Sequence, residues 1–414
     1  MSVRADALVI GAGPAGSAIA ILLARAGWEV VLVEQDAYPR RKVCGECIGA
    51  AALASLDELG AGPGVRMNAG PELRHIGFMS NAGTVLADFP VCTDGPYRYG
   101  RALRRDHLDG MLVDRAAALG VTVIQPVRVR TVHGEPGAFQ CELDPGESGA
   151  RRAPVQAAMV IDAHGSWQRG PTVSRDGWSS TSRRPHRDSD LFAFKAVFQG
   201  ARLSPGLLPV MALPGGYGGM VIADQQLATV ACCLRRDALA KCRAAGPGLA
   251  VGDAVEAWLR RNCVGVRESL EGSQRIGPWL TVGPLSPGTK RPPSPFLRVG
   301  NAAGESHPLI GEGIGMALRS AALLAAELAK CSPMAIDAHA VQRRYAARWH
   351  EEFSKRLRVS ALYAQVTMRP SLTRPSRALM RRWPGLLTQA ARLADKARQS
   401  VPTHLASGIR NEHA

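Results

Sequence analysis

The sequence predicts an α/β protein in which a doubly wound domain is interrupted by a mostly antiparallel sheet and followed by a helical C-terminal segment. Three stretches carry that prediction. Residues 7–34, ALVIGAGPAGSAIAILLARAGWEVVLVE, read as a strand, a glycine turn, a helix and a second strand ending in an acid. Residues 296–329, FLRVGNAAGESHPLIGEGIGMALRSAALLAAELA, repeat the order of strand, glycine-rich turn and long helix. Between them LFAFKAVFQG, LLPVMALPGGYGGMVIAD and LATVACCLRRD are short apolar runs bounded by turn residues, the pattern of strands.

In the first stretch Gly11, Gly13 and Gly16 fit G-x-G-x-x-G, with Pro14 and Ala15 opening the helix. The first glycine makes the tight turn, the second lets a pyrophosphate approach the backbone, and the third packs helix on strand. Glu34 follows about twenty residues on, where an acid can accept from a ribose hydroxyl. An acid there favours a ribose without a 2′-phosphate, and so FAD or NAD over NADP.

A chain of 414 residues has room for two or three domains. With 46% hydrophobic and 21% charged residues it is not a disordered chain. No apolar run reaches the roughly eighteen residues of a transmembrane helix, and the chain enters its first strand without a signal-like leader. Nine irregularly spaced cysteines suit reduced thiols, which points to the cytoplasm. Fifty-one Lys and Arg against 35 Asp and Glu give a net +16, concentrated over 343–398. Such a field attracts anionic membranes, acidic proteins or phosphorylated substrates; a solvated helical face is the plainer alternative. Neither zinc-finger spacing nor an RNA-binding aromatic signature accompanies it, which disfavours nucleic acid.

After Glu34, Pro39-Arg40, Lys42 and Cys44-Gly45-Glu46 resemble the P-R-x-K-x-C-G-E segment of flavoproteins related to geranylgeranyl reductases. That resemblance, shared with single-component (class A) flavin monooxygenases, implies a Rossmann-like FAD-binding domain of the glutathione reductase type with an inserted substrate sheet. It also implies that this loop runs beside the flavin ring, where Arg40 and Lys42 would stabilise an anionic reduced flavin. Cys44 has three readings: a thiol near the flavin that assists proton delivery, half of a redox pair with Cys47, or an inert packed thiol. No second cysteine pair has the spacing for zinc, so no metal is expected.

Residues 74–100 read as edge strands of the second domain, and 101–120 as a helix with Leu108, Leu112 and Ala116 on one face. The helix resembles the family's R-x-x-L-D-x-x-L segment, whose arginine reaches the flavin or its pyrophosphate. Arg101, Arg104 and Arg105 compete for that role; Arg101, first after the turn, is favoured, with Asp109 structural. At 162–165, Asp-Ala-His-Gly resembles the hydroxylases' A-D-G segment with His164 in place of the aspartate. His164 is then either a catalytic base or a turn histidine bonded to backbone. Residues 168–190 are polar and read as a mobile connection.

Phe192, Phe194, Ala196 and Phe198 alternate along a strand and line a core or an apolar pocket. The loop 214–219 matches the site where related reductases carry G-Y-x-W-x-F-P, a motif that shapes a lipid pocket. Tyr217 is kept, as a candidate catalytic residue, while the tryptophan and phenylalanine are missing. The halogenases' G-W-x-W-x-I-P pattern is absent, which disfavours halogenation. Residues 250–275 read as helical.

The second glycine motif resembles the family's G-D-A-A-x-x-x-x-P-x-x-G-x-G segment. Asn301 replaces the aspartate that binds the ribityl chain, and Pro308, Gly311, Gly313 and Ile314 frame a helix entrance with bare backbone donors. Glu305 and His307 stand in its loop, either near substrate and flavin or solvated. Beyond 337 the reading is basic helices broken at Pro370, Pro375 and Pro384, with Trp349, Phe353, Leu357 and Leu362 covering the FAD domain and a disordered tail past 401.

The expected boundaries are 1–73, 101–170 and 281–336 for the FAD-binding domain, 74–100 and 171–280 for the substrate domain, and 337–414 for the basic segment. The implied enzyme is an FAD-dependent oxidoreductase reduced by NAD(P)H from solvent. Loss of the aromatic lipid motif favours a monooxygenase of an electron-rich aromatic group, free or carried on an acidic carrier or protein. A reductase or dehydrogenase of an apolar, isoprenoid- or polyketide-like substrate is the alternative. A third reading is a non-catalytic flavin-binding protein that contacts membranes peripherally.

Overall fold

A computed structural model describes residues 3–145, 152–166, 170–174, 186–289, 294–331 and 336–394. Most of the expected connection at 168–190, and the tail past 401, lie outside these residues.

Strand Val3–Ile10 is the centre of the first sheet. It pairs in parallel with Val30–Val33 on one side and Val155–Asp162 on the other. Thr122–Ile124 extends the parallel order beyond Val30–Val33, and the short strand Leu297–Arg298 adds to the far side of Val155–Asp162. An antiparallel pair, Val129–His133 and Phe139–Leu143, continues the sheet past Val155–Asp162. Helices Pro14–Arg25, Arg105–Ala118 and Gly313–Leu328 bury their apolar stripes against one face, where Ile19, Leu108, Leu112, Ala116 and Leu324 are fully buried. This is the strand–turn–helix packing the two glycine motifs require, with the helices on one face and the residues of the antiparallel pair in the core of the other.

The second sheet has seven strands in the spatial order 274–285, 191–199, 228–235, 216–222, 207–213, 75–80 and 83–88. Every pair is antiparallel except Leu207–Leu213 with His75–Ser80. Phe194, Ala196 and Phe198 face a core backed by helices Val251–Asn262 and Val264–Ser269, and Phe194 also borders the cavity described below. The opposite face of the same strand, with Leu191, Ala193 and Lys195, turns towards the FAD-binding domain. Two strands cross the expected boundaries. Gln274–Leu285 stays paired to 191–199 as far as Leu285, and Thr172–Ser174 joins the first sheet beside Val129–His133.

The C-terminal segment is helix Ala338–Met368, then Pro370–Arg382 and Gly385–Leu393. Trp349 and Phe353 are buried against the FAD-binding domain and Leu357 packs beside them. Leu362, expected to join them, is 61% exposed, because the helix has by then left that core. Pro375 does not break its helix. Pro375 and Ser371, whose carbonyl loses its helical N–H partner, both lie on the exposed face. The last helix covers the sheet's edge strand Gly83–Asp88: Leu387 and Ala391 pack with Phe78 and Val85, and the Thr388 hydroxyl donates to the Asp88 carbonyl at 2.7 Å.

Candidate active site

The two glycine turns open onto one cavity, whose far wall is the second sheet. Gly11 carries φ +100°, and a Cβ there would lie 2.6 Å from the Ala163 carbonyl oxygen. Helices Pro14–Arg25 and Gly313–Leu328 both begin at this cavity, and neither has a side-chain cap. Their first backbone N–H groups are thus open to an anion. Glu34 is buried; it accepts from the N–H groups of Ala12 (2.8 Å) and Asp36 (3.0 Å) and lies 3.3 Å from Arg40.

Arg40 itself is buried among Glu34, Asp36 and Asp109, yet its Nε and Nη1 have no hydrogen-bond partner among the described residues. A Cβ on Gly13 would stand only 3.6 and 3.7 Å from the guanidinium groups of Arg105 and Arg40. Buried cationic donors with no hydrogen bond, beside a glycine cradle and uncapped helix starts, are what a diphosphate requires. The residues present fit FAD.

Fourteen of the expected cofactor residues line this cavity: Gly11, Gly13, Pro14, Ala15, Glu34, Arg40, Lys42, Cys44, Gly45, Asn301, Pro308, Gly311, Gly313 and Ile314. Gly16 lies one layer back, buried against the Gly11 carbonyl. Asn301 donates from Nδ2 to the Ser166 hydroxyl at 2.6 Å.

Arg101 is the exception and is corrected. It belongs to the two-residue strand Arg101–Ala102, paired with Cys47–Ile48, and its guanidinium turns away to the Gly70 carbonyl and Glu72. Arg105 takes the place at the cavity. It is held by both oxygens of the fully buried Asp109 at 2.6 and 2.7 Å and lies within hydrogen-bonding reach of the Cys44 thiol. Counting back from Leu108-Asp109 and Leu112, the R-x-x-L-D-x-x-L spacing falls on Arg105. Accordingly, Arg101→Ala is expected to leave FAD content within about twofold of the parent. Arg105→Ala, removing a charged hydrogen-bond donor of about 1.5–3 kcal/mol, should weaken retention on the order of tenfold to a hundredfold. Flavin absorbance of the purified proteins, and titration of the stripped proteins with FAD, would distinguish the two.

The three candidate catalytic residues, Cys44, His164 and Tyr217, line the same cavity. Cys44 and Cys47 are both free thiols; Cys47 is buried and points its thiol to the Gly45 carbonyl. His164 is not bonded to backbone alone, as the plainer reading had it. Its Nδ1 makes a short hydrogen bond to buried Asp162. Burial works against the Asp162 charge, but His164 and Arg298 hold its carboxyl below the usual range.

The expected loop at 214–219 is a hairpin, with Pro214-Gly215 as its turn and Tyr217 inside strand Gly216–Ile222. Tyr217 is 1% exposed, and its hydroxyl meets His307 Nδ1 at 3.0 Å. Burial and the neighbouring Cys233 and Glu305 push the phenol well above its usual range. Burial lowers His307 to about 4, so at neutral pH its imidazole is uncharged and able to accept.

One pair at the cavity had no forecast role. Glu46, fully buried at φ +61°, accepts from Lys195 Nζ and the Thr229 hydroxyl in two short bonds and from the Arg105 N–H at 3.2 Å. Lys195, 3% exposed, also donates to the Lys42 carbonyl at 3.2 Å. The substrate sheet is thus tied to the loop beside the cofactor cavity by a buried ion pair.

Residues 4–186 match the FAD binding domain family. The menaquinone reductase of Mycobacterium tuberculosis is 35% identical over 133 residues, 31% of each chain. The match therefore spans about a third of that relative's length. Digeranylgeranylglycerophospholipid reductase 1 of Methanopyrus kandleri is 28% identical over 357 residues, 84% of this chain and 86% of that protein. Among solved structures, the myxobacterial chondrochloren halogenase shares the fold at a TM-score of 0.73 with 21% identity, covering 98% of this chain and 97% of that one. The p-nitrophenol 4-monooxygenase of Pseudomonas putida shares it at 0.73 with 18% identity, covering 95% and 98%. Residues 4–186 thus form an FAD binding domain, and the chain as a whole has the fold of flavin-dependent halogenases and monooxygenases.

Proposed function

We propose that the protein is an FAD-dependent monooxygenase, reduced by NAD(P)H, that hydroxylates an electron-rich phenolic ring bearing apolar substituents. The observation that carries this is Tyr217, backed by His307, on the cavity wall beside an apolar patch of Leu208, Val210, Met220 and Leu309. Bound FAD would supply the two-electron reduction by NAD(P)H and the activation of O₂. In total, HO–Ar–H + NAD(P)H + H⁺ + O₂ gives HO–Ar–OH + NAD(P)⁺ + H₂O.

The chain's own residues would do the rest. The two helix starts, Arg40 and Arg105 would hold the diphosphate, and Glu34 would take the adenosine ribose. The apolar wall excludes water from the reacting ring. Ring hydroxylation is faster on the phenolate, so the ring hydroxyl must lose a proton. Tyr217 takes that proton as it passes its own to His307 Nδ1, and the half-buried imidazole delivers it to solvent.

Because His307 stays neutral down to about pH 4, its contribution to the acid limb of kcat should fall near pH 4, not at the 6.5 of a free imidazole. Tyr217→Phe should lower kcat for a phenolic substrate by about 10²-fold or more, with NAD(P)H oxidation continuing uncoupled from product. Incorporation of ¹⁸O from ¹⁸O₂ into the ring is the decisive measurement. Its absence across phenolic substrates, with FAD bound, would remove the proposal.

A second reading has its own support. Cys44 lies on the cavity wall beside Arg105, where a thiol could protonate a carbon after hydride transfer, and two of the relatives above are reductases. Anaerobic saturation of an alkene, lost in Cys44→Ser, would favour that reading.

A further inference from the structure

We propose that the last two helices form a docking surface for anionic lipid bilayers. Residues 369–394 contain six arginines and no lysine, aspartate or glutamate. Arg369, Arg374, Arg381, Arg382 and Arg392 are exposed. The same stretch concentrates the large apolar side chains that the fold leaves in water: Leu372, Leu379, Trp383, Leu386 and Leu393 are 39%, 49%, 55%, 40% and 56% exposed.

Their spacing is ordered. Leu372 and Leu379 stand seven residues apart on Pro370–Arg382, and Leu386 and Leu393 seven apart on Gly385–Leu393. Each helix therefore has an outer apolar stripe that nothing among the described residues covers, opposite an inner side packed on the protein. Thr373 marks the inner side of the first helix, Leu387 and Ala391 that of the second. At the junction Arg382 lies over the Trp383 ring at 5.7 Å, a cation–aromatic pair exposed to solvent.

Exposed leucines, a tryptophan and arginines without a single carboxylate suit an interface in which apolar groups enter the acyl boundary while guanidinium groups meet phosphates. A folded acidic partner would more often be matched by charges of both signs, which fix its register. No helix among the described residues is long and apolar enough to cross a bilayer, so the contact would be peripheral. The helices are anchored from behind by Leu387, Ala391 and the Thr388 bond to the edge strand, and can take up a surface without unfolding.

The test uses full-length, FAD-loaded protein and sedimented vesicles of phosphatidylcholine alone or with 30% phosphatidylglycerol. Binding is expected to the anionic vesicles only and to fall steeply between 50 and 500 mM NaCl. Arg374→Gln/Arg381→Gln/Arg382→Gln should weaken it on the order of a hundredfold, from about 1 kcal/mol per surface cation. Leu379→Ser/Trp383→Ser should weaken it with the salt dependence kept. Unchanged FAD content and melting temperature in both variants exclude misfolding. Failure to bind anionic vesicles overturns the proposal, as does equal binding by the variants. So does a dimer in solution that both variants split, which would assign the stripe to a second copy of the chain. None of these outcomes depends on whether the flavin chemistry is oxygenation or reduction.

Discussion

Gly16→Ala is expected to yield a protein that folds poorly and purifies without flavin. A Cβ on Gly16 would lie 1.8 Å from the Gly11 carbonyl oxygen and 3.0 Å from its carbon. Neither neighbour is a side chain that can swing away. Gly11 is pinned by its own N–H bond to the Val33 carbonyl at 2.8 Å, and its φ of +100° is already open only to glycine. The helix must therefore lift off the turn by more than an ångström, which carries its first N–H groups out of the cavity. FAD affinity should fall at least a hundredfold, read by absorbance of the purified protein and by titration. Gly110→Ala is the control: it sits within helix Arg105–Ala118 with open space around it, and alanine there should stabilise by up to about 1 kcal/mol. FAD bound normally by Gly16→Ala protein would show that the helix and turn do not meet as described.

Lys195→Met is expected to be the most destabilising change outside the glycine turns. It leaves the Glu46 carboxylate, fully buried, with the Thr229 hydroxyl and the Arg105 N–H but no cation. Breaking a buried pair from one side costs about 3–5 kcal/mol, whereas replacing both partners by neutral groups costs far less. Glu46→Gln/Lys195→Met should accordingly recover much of the loss, and that non-additivity is the signature to look for. Urea and thermal unfolding of the single and double variants would measure it. A loss under 1 kcal/mol in the single variant would mean that water reaches Glu46.

What the sequence disclosed was mainly what backbone geometry demands. A turn that lets helix pack on strand needs glycine at fixed spacing, so Gly11, Gly13, Gly311 and Gly313 could be placed on one cavity, and Gly16 just behind it, from their positions alone. The alternation of Phe192 to Phe198 marked a strand, but not what lay behind each face. Lys195 falls on that strand's second face, where a lysine is ordinarily solvated. Only the docking of the sheet onto the 42–46 loop, 149 positions away in the chain, buries it against Glu46. Arg101 stands nearer the turn, but it is the helical register that points Arg105 inward. Leu362 shows the reverse limit: its spacing continues the Trp349 and Phe353 stripe, but the surface it would pack on ends first.

The cover that helix Gly385–Leu393 lays over strand Gly83–Asp88 bears on whether the second sheet can grow from one molecule to the next. An edge strand presents unpaired amide and carbonyl groups that template sheet growth between molecules. Thr388 caps one such carbonyl, and Leu387 with Ala391 screens the apolar residues beside it. Cutting the chain before 370 would thus uncover a self-complementary seam, and the shortened protein would be prone to aggregate whatever its affinity for lipid or flavin. The C-terminal helices act, in this respect, as a built-in solubility guard.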